Sequence, residues 1–124
     1  MPGVRAAKPL LIAAVAGILL AGCGHTATVG GGRTLRVALG EYRVTPQKVQ
    51  TSAGELTIIV HNVGKLTHNL VVKHGTEQVD QTPPIWPGTV RVLSVYLTPG
   101  QYTLGSGLFS DQDLGVSGTL SVTS

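Results

Sequence analysis

From Thr34 to the C-terminus the chain reads as one all-β domain, a small Greek-key sandwich or barrel of about seven to eight strands. Two observations predict this. Apolar residues recur at every second position, in Leu35, Val37 and Leu39, in Leu56, Ile58 and Val60, and in Leu70 and Val72, the period of a strand with one buried face. Turn pairs fall between these runs, at Thr45-Pro46, Ala53-Gly54, Val63-Gly64, Pro83-Pro84, Pro87-Gly88 and Pro99-Gly100, as expected where short strands succeed one another. No stretch after Thr34 repeats apolar residues at the helical spacing of about 3.6.

Residues 1–22 have the three parts of a secretory signal: Arg5 and Lys8 in a basic leader, an apolar run from Leu10 to Leu20, and small residues before a cut. The run is too short for a spanning helix, which needs about 20 apolar residues. It ends in Leu20-Ala21-Gly22-Cys23, and Cys23 is the single cysteine. An unpaired thiol is uncommon in an exported protein. The arrangement resembles the lipobox of bacterial lipoproteins, which implies that Cys23 takes a diacylglycerol thioether and becomes the first mature residue. Two fatty chains hold a protein firmly on a bilayer, where one binds only marginally. The expected location is therefore a membrane surface outside the cytoplasm.

Removal of the leader changes the composition that bears on function. Two of the nine basic residues go with it and none of the six acids, so the net charge falls from +3 to +1. No basic face remains to suggest nucleic acid. Residues 23–33 are small, polar and glycine-rich, the composition of a flexible tether. Residues 34–124 are left to form the domain. Tyr102, two residues after Pro99-Gly100, has the position of a tyrosine corner, whose hydroxyl bonds back to its own strand entry.

Several landmarks together resemble the cupredoxins, the plastocyanin and azurin group. They are Glu41-Tyr42-Arg43-Val44-Thr45-Pro46, Asn62-Val63-Gly64-Lys65-Leu66-Thr67-His68-Asn69, Leu97-Thr98-Pro99-Gly100-Gln101-Tyr102 and Gly115-Val116-Ser117-Gly118. The resemblance implies a copper ligand set of two histidines, a cysteine and a weak axial methionine, the trigonal site of blue copper. His68, followed by Asn69, matches the first histidine. Ser106 stands where the cysteine is expected, Val116 where the methionine is expected, and Asp111 near the second histidine position. The only methionine is Met1, and no histidine follows His74. A blue copper centre needs a thiolate, and this chain's one thiol is assigned to lipid.

The same residues admit other chemistry. His68 with Asp111 could take Cu(II) or Zn(II) at modest affinity. His74 lies six positions beyond His68, roughly 20 Å along a continuous strand, and His61 has the parity of an outward face. Ser106, Asp111 and His68 supply a hydroxyl, an acid and a base, but no strained nucleophile elbow surrounds the serine, so an enzyme is not expected. Trp86, the sole tryptophan, lies in the longest irregular stretch and would serve as an anchor for a partner or as a lid on the sandwich. The expectation is a lipid-anchored binding or accessory module without a cofactor, serving another envelope protein. The alternative is a copper-binding or electron-transfer protein using His68 with Asp111 or with ligands from a partner.

Overall fold

The computed structural model describes residues 26–106 and 117–124. These form ten strands and no helix: β1 (Ala27–Thr28), β2 (Thr34–Leu39), β3 (Val44–Thr45), β4 (Lys48–Ser52), β5 (Gly54–Asn62), β6 (Val71–His74), β7 (Glu77–Gln81), β8 (Val90–Leu97), β9 (Gly100–Gly105) and β10 (Ser117–Thr123). Apart from the two-residue β1 and β3, eight strands remain, in line with the expected all-β architecture. One sheet has the order β1-β4-β10-β9-β6-β7 and the other β3-β2-β5-β8.

The two-residue alternation is what divides inside from outside. Leu35, Val37 and Leu39 of β2 and Leu56, Ile58 and Val60 of β5 are buried between the sheets, and β2 runs parallel to β5 with Val37 opposite Val60. Leu70, Val72, Leu97, Leu104 and Leu120 meet them from the remaining strands and connections. Each such side chain stabilises the fold by about 1.5–3 kcal/mol through its removal from water. Val71 departs from the expected outward parity and is buried. It sits in an interior strand, between β9 and β7, whose register shifts at Val72/Lys73.

β4 runs from Lys48 to Ser52 and turns through Ala53 into β5 of the other sheet. Gly54 takes a φ of 124° at this corner, a backbone state that suits glycine. Arg33 fastens the same corner. Its guanidinium donates to Glu55 O, Thr51 Oγ1, Ser52 Oγ and Ser52 O at 2.8–3.1 Å, and its own carbonyl accepts from Thr57 N. These bonds offset the cost of a positive φ, 56°, at a residue with a Cβ.

Tyr102 forms the expected corner. Its hydroxyl donates to Thr98 O at 2.9 Å and accepts from Thr98 N at 3.1 Å, while its ring stacks on His74.

The glycine-rich stretch enters the sheet rather than only linking to it. Ala27 and Thr28 pair in parallel with Val49 and Gln50, Val29 N donates to Gln50 O, and Val29 packs against the core. An open edge on β4 supplies a pairing partner that local composition does not reveal.

Candidate functional site

β2 and β5 run parallel and end together, at Leu39 and Asn62, so the loops after them share one end of the sandwich. The connection that precedes β8 reaches the same end, because β8 starts at Val90 opposite His61. Asn62 ties these loops together. Its Nδ2 donates to Leu66 O and to Ile85 O, both at 2.8 Å, and its Oδ1 accepts from Gly64 N at 2.9 Å. The side chain is fully buried, and an amide satisfied on both its functions is what a buried asparagine requires.

His68 is held against the same connection. Its backbone pairs with Ile85 in both directions, His68 N to Ile85 O at 3.1 Å and Ile85 N to His68 O at 2.6 Å. The imidazole is completely buried, as the parity with Leu70 and Val72 predicts. Its Nε2 lies 3.5 Å from Glu41 Oε1.

The same carboxylate oxygen accepts from Leu66 N at 2.8 Å and from Lys65 N. These two amides, Leu66 first, with the His68 side chain adding to them, hold the Glu41 carboxyl below its usual range, since each donor favours the charged form. Gly64 makes the approach feasible, because a Cβ there would collide with the Glu41 carboxylate. A carboxylate facing Nε2 favours a ring proton on that nitrogen.

Ser106, at the expected cysteine position, is buried and bonded to the residue beside His68. Its Oγ accepts from Asn69 N at 3.3 Å and donates to Asn69 Oδ1 at 3.4 Å. Proton donation to an amide oxygen is a structural use of the hydroxyl.

Trp86 is 71% exposed, so it does not pack over the sandwich as a lid. It borders a cleft of about 360 Å³ with Pro84, Thr89, Val90 and Arg91, and Thr89 closes the turn by donating from N and Oγ1 to Trp86 O. His61 is exposed on the outer face opposite Val90, and His74 is exposed on its stack with Tyr102. Asp111 and Val116, like Cys23, lie outside the described residues.

The sequence singles out His68 and Ser106, whereas Glu41 and Asn62 stand out only as members of longer landmarks. Asn62 and Gly64 lie within a quoted landmark, and the Asn-x-Gly spacing was its visible trace. Glu41 opens another quoted landmark, but nothing in it marks the carboxylate, because the amides it binds are 24 and 25 residues away.

Among the described residues no three His, Cys, Asp or Glu side chains converge where one ion could bind them. The donor set does not fit blue copper. A hydroxyl replaces the thiolate, and the remaining pair is one imidazole and one carboxylate already bound to two amides.

No family model matches the chain. Among curated proteins, the iron uptake system component EfeO of Yersinia pestis is 27% identical over 89 residues, 72% of this chain. The chain spans about a quarter of that relative's length, 23%. Among solved structures, dithionite-reduced auracyanin from Roseiflexus castenholzii superposes with a TM-score of 0.70 at 18% identity, over 77% of this chain and 100% of that one. An azurin from Methylomonas sp. strain J gives 0.64 at 14% identity, over 73% and 98%. The chain thus has the cupredoxin fold, with type 1 copper ligands mostly missing from it.

Proposed function

We propose that this protein is a lipid-anchored, extracytoplasmic accessory module, a cupredoxin frame used for binding within a metal-uptake system of the cell envelope rather than for carrying electrons through blue copper. The observation that carries the reading is Ser106, buried at the cysteine position and bonded to Asn69. The site end is built as a hydrogen-bonded structure, and its exposed elements are loops and Trp86. The likeness to an iron uptake component supports a role beside metal transport. The leader and the lipobox at Cys23 support the anchor and the outward location.

A second reading keeps a metal at His68, with Asp111 or a partner's side chain completing the ligand set. The Glu41 contact favours it, because a carboxylate on one imidazole nitrogen orients the ring and raises the basicity of the other.

Calorimetry and optical titration of the purified acylated protein with Cu(II) and Cu(I) separate the two readings. The accessory reading expects no intense visible band and no heat that depends on His68. Binding heat abolished in His68→Asn, with the thermal midpoint of that variant close to wild type, would favour the metal reading. An intense thiolate-to-copper band would overturn the first. The anchor has its own test: Cys23→Ser should move the protein from the membrane to the soluble fraction, and undiminished membrane retention would remove the lipoprotein assignment.

A further inference from the structure

Eight large apolar side chains among the described residues are exposed, and five of them gather at the His68 end: Tyr42, Val63, Leu66, Trp86 and Val90. They belong to the loops after β2 and β5 and to the approach to β8, the segments that Asn62 and Glu41 tie together. The same end carries four exposed cations, Arg43, Lys48, Lys65 and Arg91. The described acid at this end, Glu41, is turned onto the Lys65 and Leu66 amides. Among the described residues at this end, exposed aromatic and aliphatic side chains stand among cations, and the Glu41 carboxylate is bound to amides, an arrangement that matches the headgroup layer of an anionic bilayer. There Trp and Tyr settle with their apolar bodies and polar tips, and each cation adds attraction.

The course of β1 points to the same surface independently. β5 ends at the His68 end, and β4 leads into β5 at the opposite end, so β4 starts at the His68 end. β1 is parallel to β4, so Thr26, the first described residue, lies at the His68 end too. Cys23 is three residues before Thr26, and at most about 3.6 Å per residue confines it to roughly 11 Å from that point. A free tether through residue 33 would leave the domain unoriented. One pinned at Ala27, with Arg33 bonded beyond it, does not.

We propose that the His68 end is a membrane-contact face: with Cys23 acylated, Trp86, Tyr42 and Leu66 enter the headgroup layer of an anionic bilayer and the surrounding cations meet its phosphates. This rests on the anchoring reading above and deepens it, since it specifies which face the bilayer covers. The domain then meets its partner at the membrane surface, with His68 on the bilayer side.

Trp86 is the sole tryptophan and reports directly. The acylated full chain is reconstituted into phosphatidylcholine vesicles with and without phosphatidylglycerol, and flotation is measured beside tryptophan fluorescence. On anionic vesicles the emission should shift to the blue, iodide quenching should fall severalfold, and lipids labelled near the headgroup should quench Trp86. Lys65→Glu/Arg91→Glu should reduce that lipid quenching while the protein still floats.

Protein that floats with Trp86 fully open to iodide overturns the contact face and leaves the anchor intact. Protein that does not float overturns both. Shielding that arises only after membrane proteins are added would assign the face to a protein partner and overturn the proposal, and equal lipid quenching in the charge-reversed variant would overturn the choice of an anionic surface.

Discussion

The two ends of the sandwich spend their hydrogen bonds differently. At the end carrying Arg33 and the Tyr102 corner, side chains bond to backbone and hydroxyls of the turns they hold: Arg33 to Thr51, Ser52 and Glu55, Tyr102 to Thr98. Tyr96, on the outer face of β8, is the large exposed hydrophobe near that end. At the His68 end three polar side chains, Asn62, His68 and Ser106, are fully buried, while Tyr42, Val63, Leu66 and Trp86 face solvent among exposed cations. Buried polar groups beneath a cluster of exposed apolar ones depart from the usual arrangement of a soluble surface. The difference separates an end that closes the fold from an end shaped to meet something.

Removal of Asn62 should have the largest effect on this contrast. Asn62→Ala leaves the Leu66 and Ile85 carbonyls and the Gly64 amide without that partner, a loss of about 3 kcal/mol at the scale of orphaned buried groups. Denaturant unfolding measures it. A loss below that of the corner variants would mean that the His68 end is not internally organised. Arg33→Ala should cost about 2 kcal/mol, because several charge-assisted bonds at a half-buried site go at once. Arg33→Gly should be milder by about 1 kcal/mol, since glycine accepts the positive φ without penalty. Equal losses in the two variants would show that backbone strain at residue 33 is negligible. Tyr102→Phe keeps the ring on His74 and removes only the hydroxyl bonds to Thr98, for about 1 kcal/mol.

The closing end and the body of the fold are largely legible in the sequence. Alternation in β2 and β5 gave both the strands and their buried faces, and Tyr102 carries its corner in its spacing from Pro99-Gly100, because these are consequences of local geometry. His68 was legible for the same reason, through parity with Leu70 and Val72. What escaped was set by chain crossing. Ala27 and Thr28 are too short a run, next to Gly30, Gly31 and Gly32, to read as a strand, and they pair because the edge of β4 lies alongside. Glu41 reads as a polar turn residue until the loop after β5 folds back over it. Contacts across more than twenty residues of sequence leave no periodic trace for their members.

Acid should act on the two ends unequally and with the smallest effect of these tests. The Glu41 carboxyl titrates below its ordinary value near 4.5, chiefly because the Leu66 and Lys65 amides bond its charged form. A depressed folded-state value means that the stabilisation is fully present above that ordinary value and is lost as pH falls through the lower one. Between pH 7 and 5 amide-exchange protection at Lys65 and Leu66 should therefore stay constant, and below about 4.5 it should decline, while protection across β4 and β10 at the Arg33 end holds. Glu41→Gln presents a neutral acceptor of the same shape, so its protection at these two amides should be lower at pH 7 and should no longer change across the acid range. Protection that is flat with pH in the wild type, or that declines equally at both ends, would show that the carboxylate does not hold the loop and that the inward-facing polar groups beneath it do.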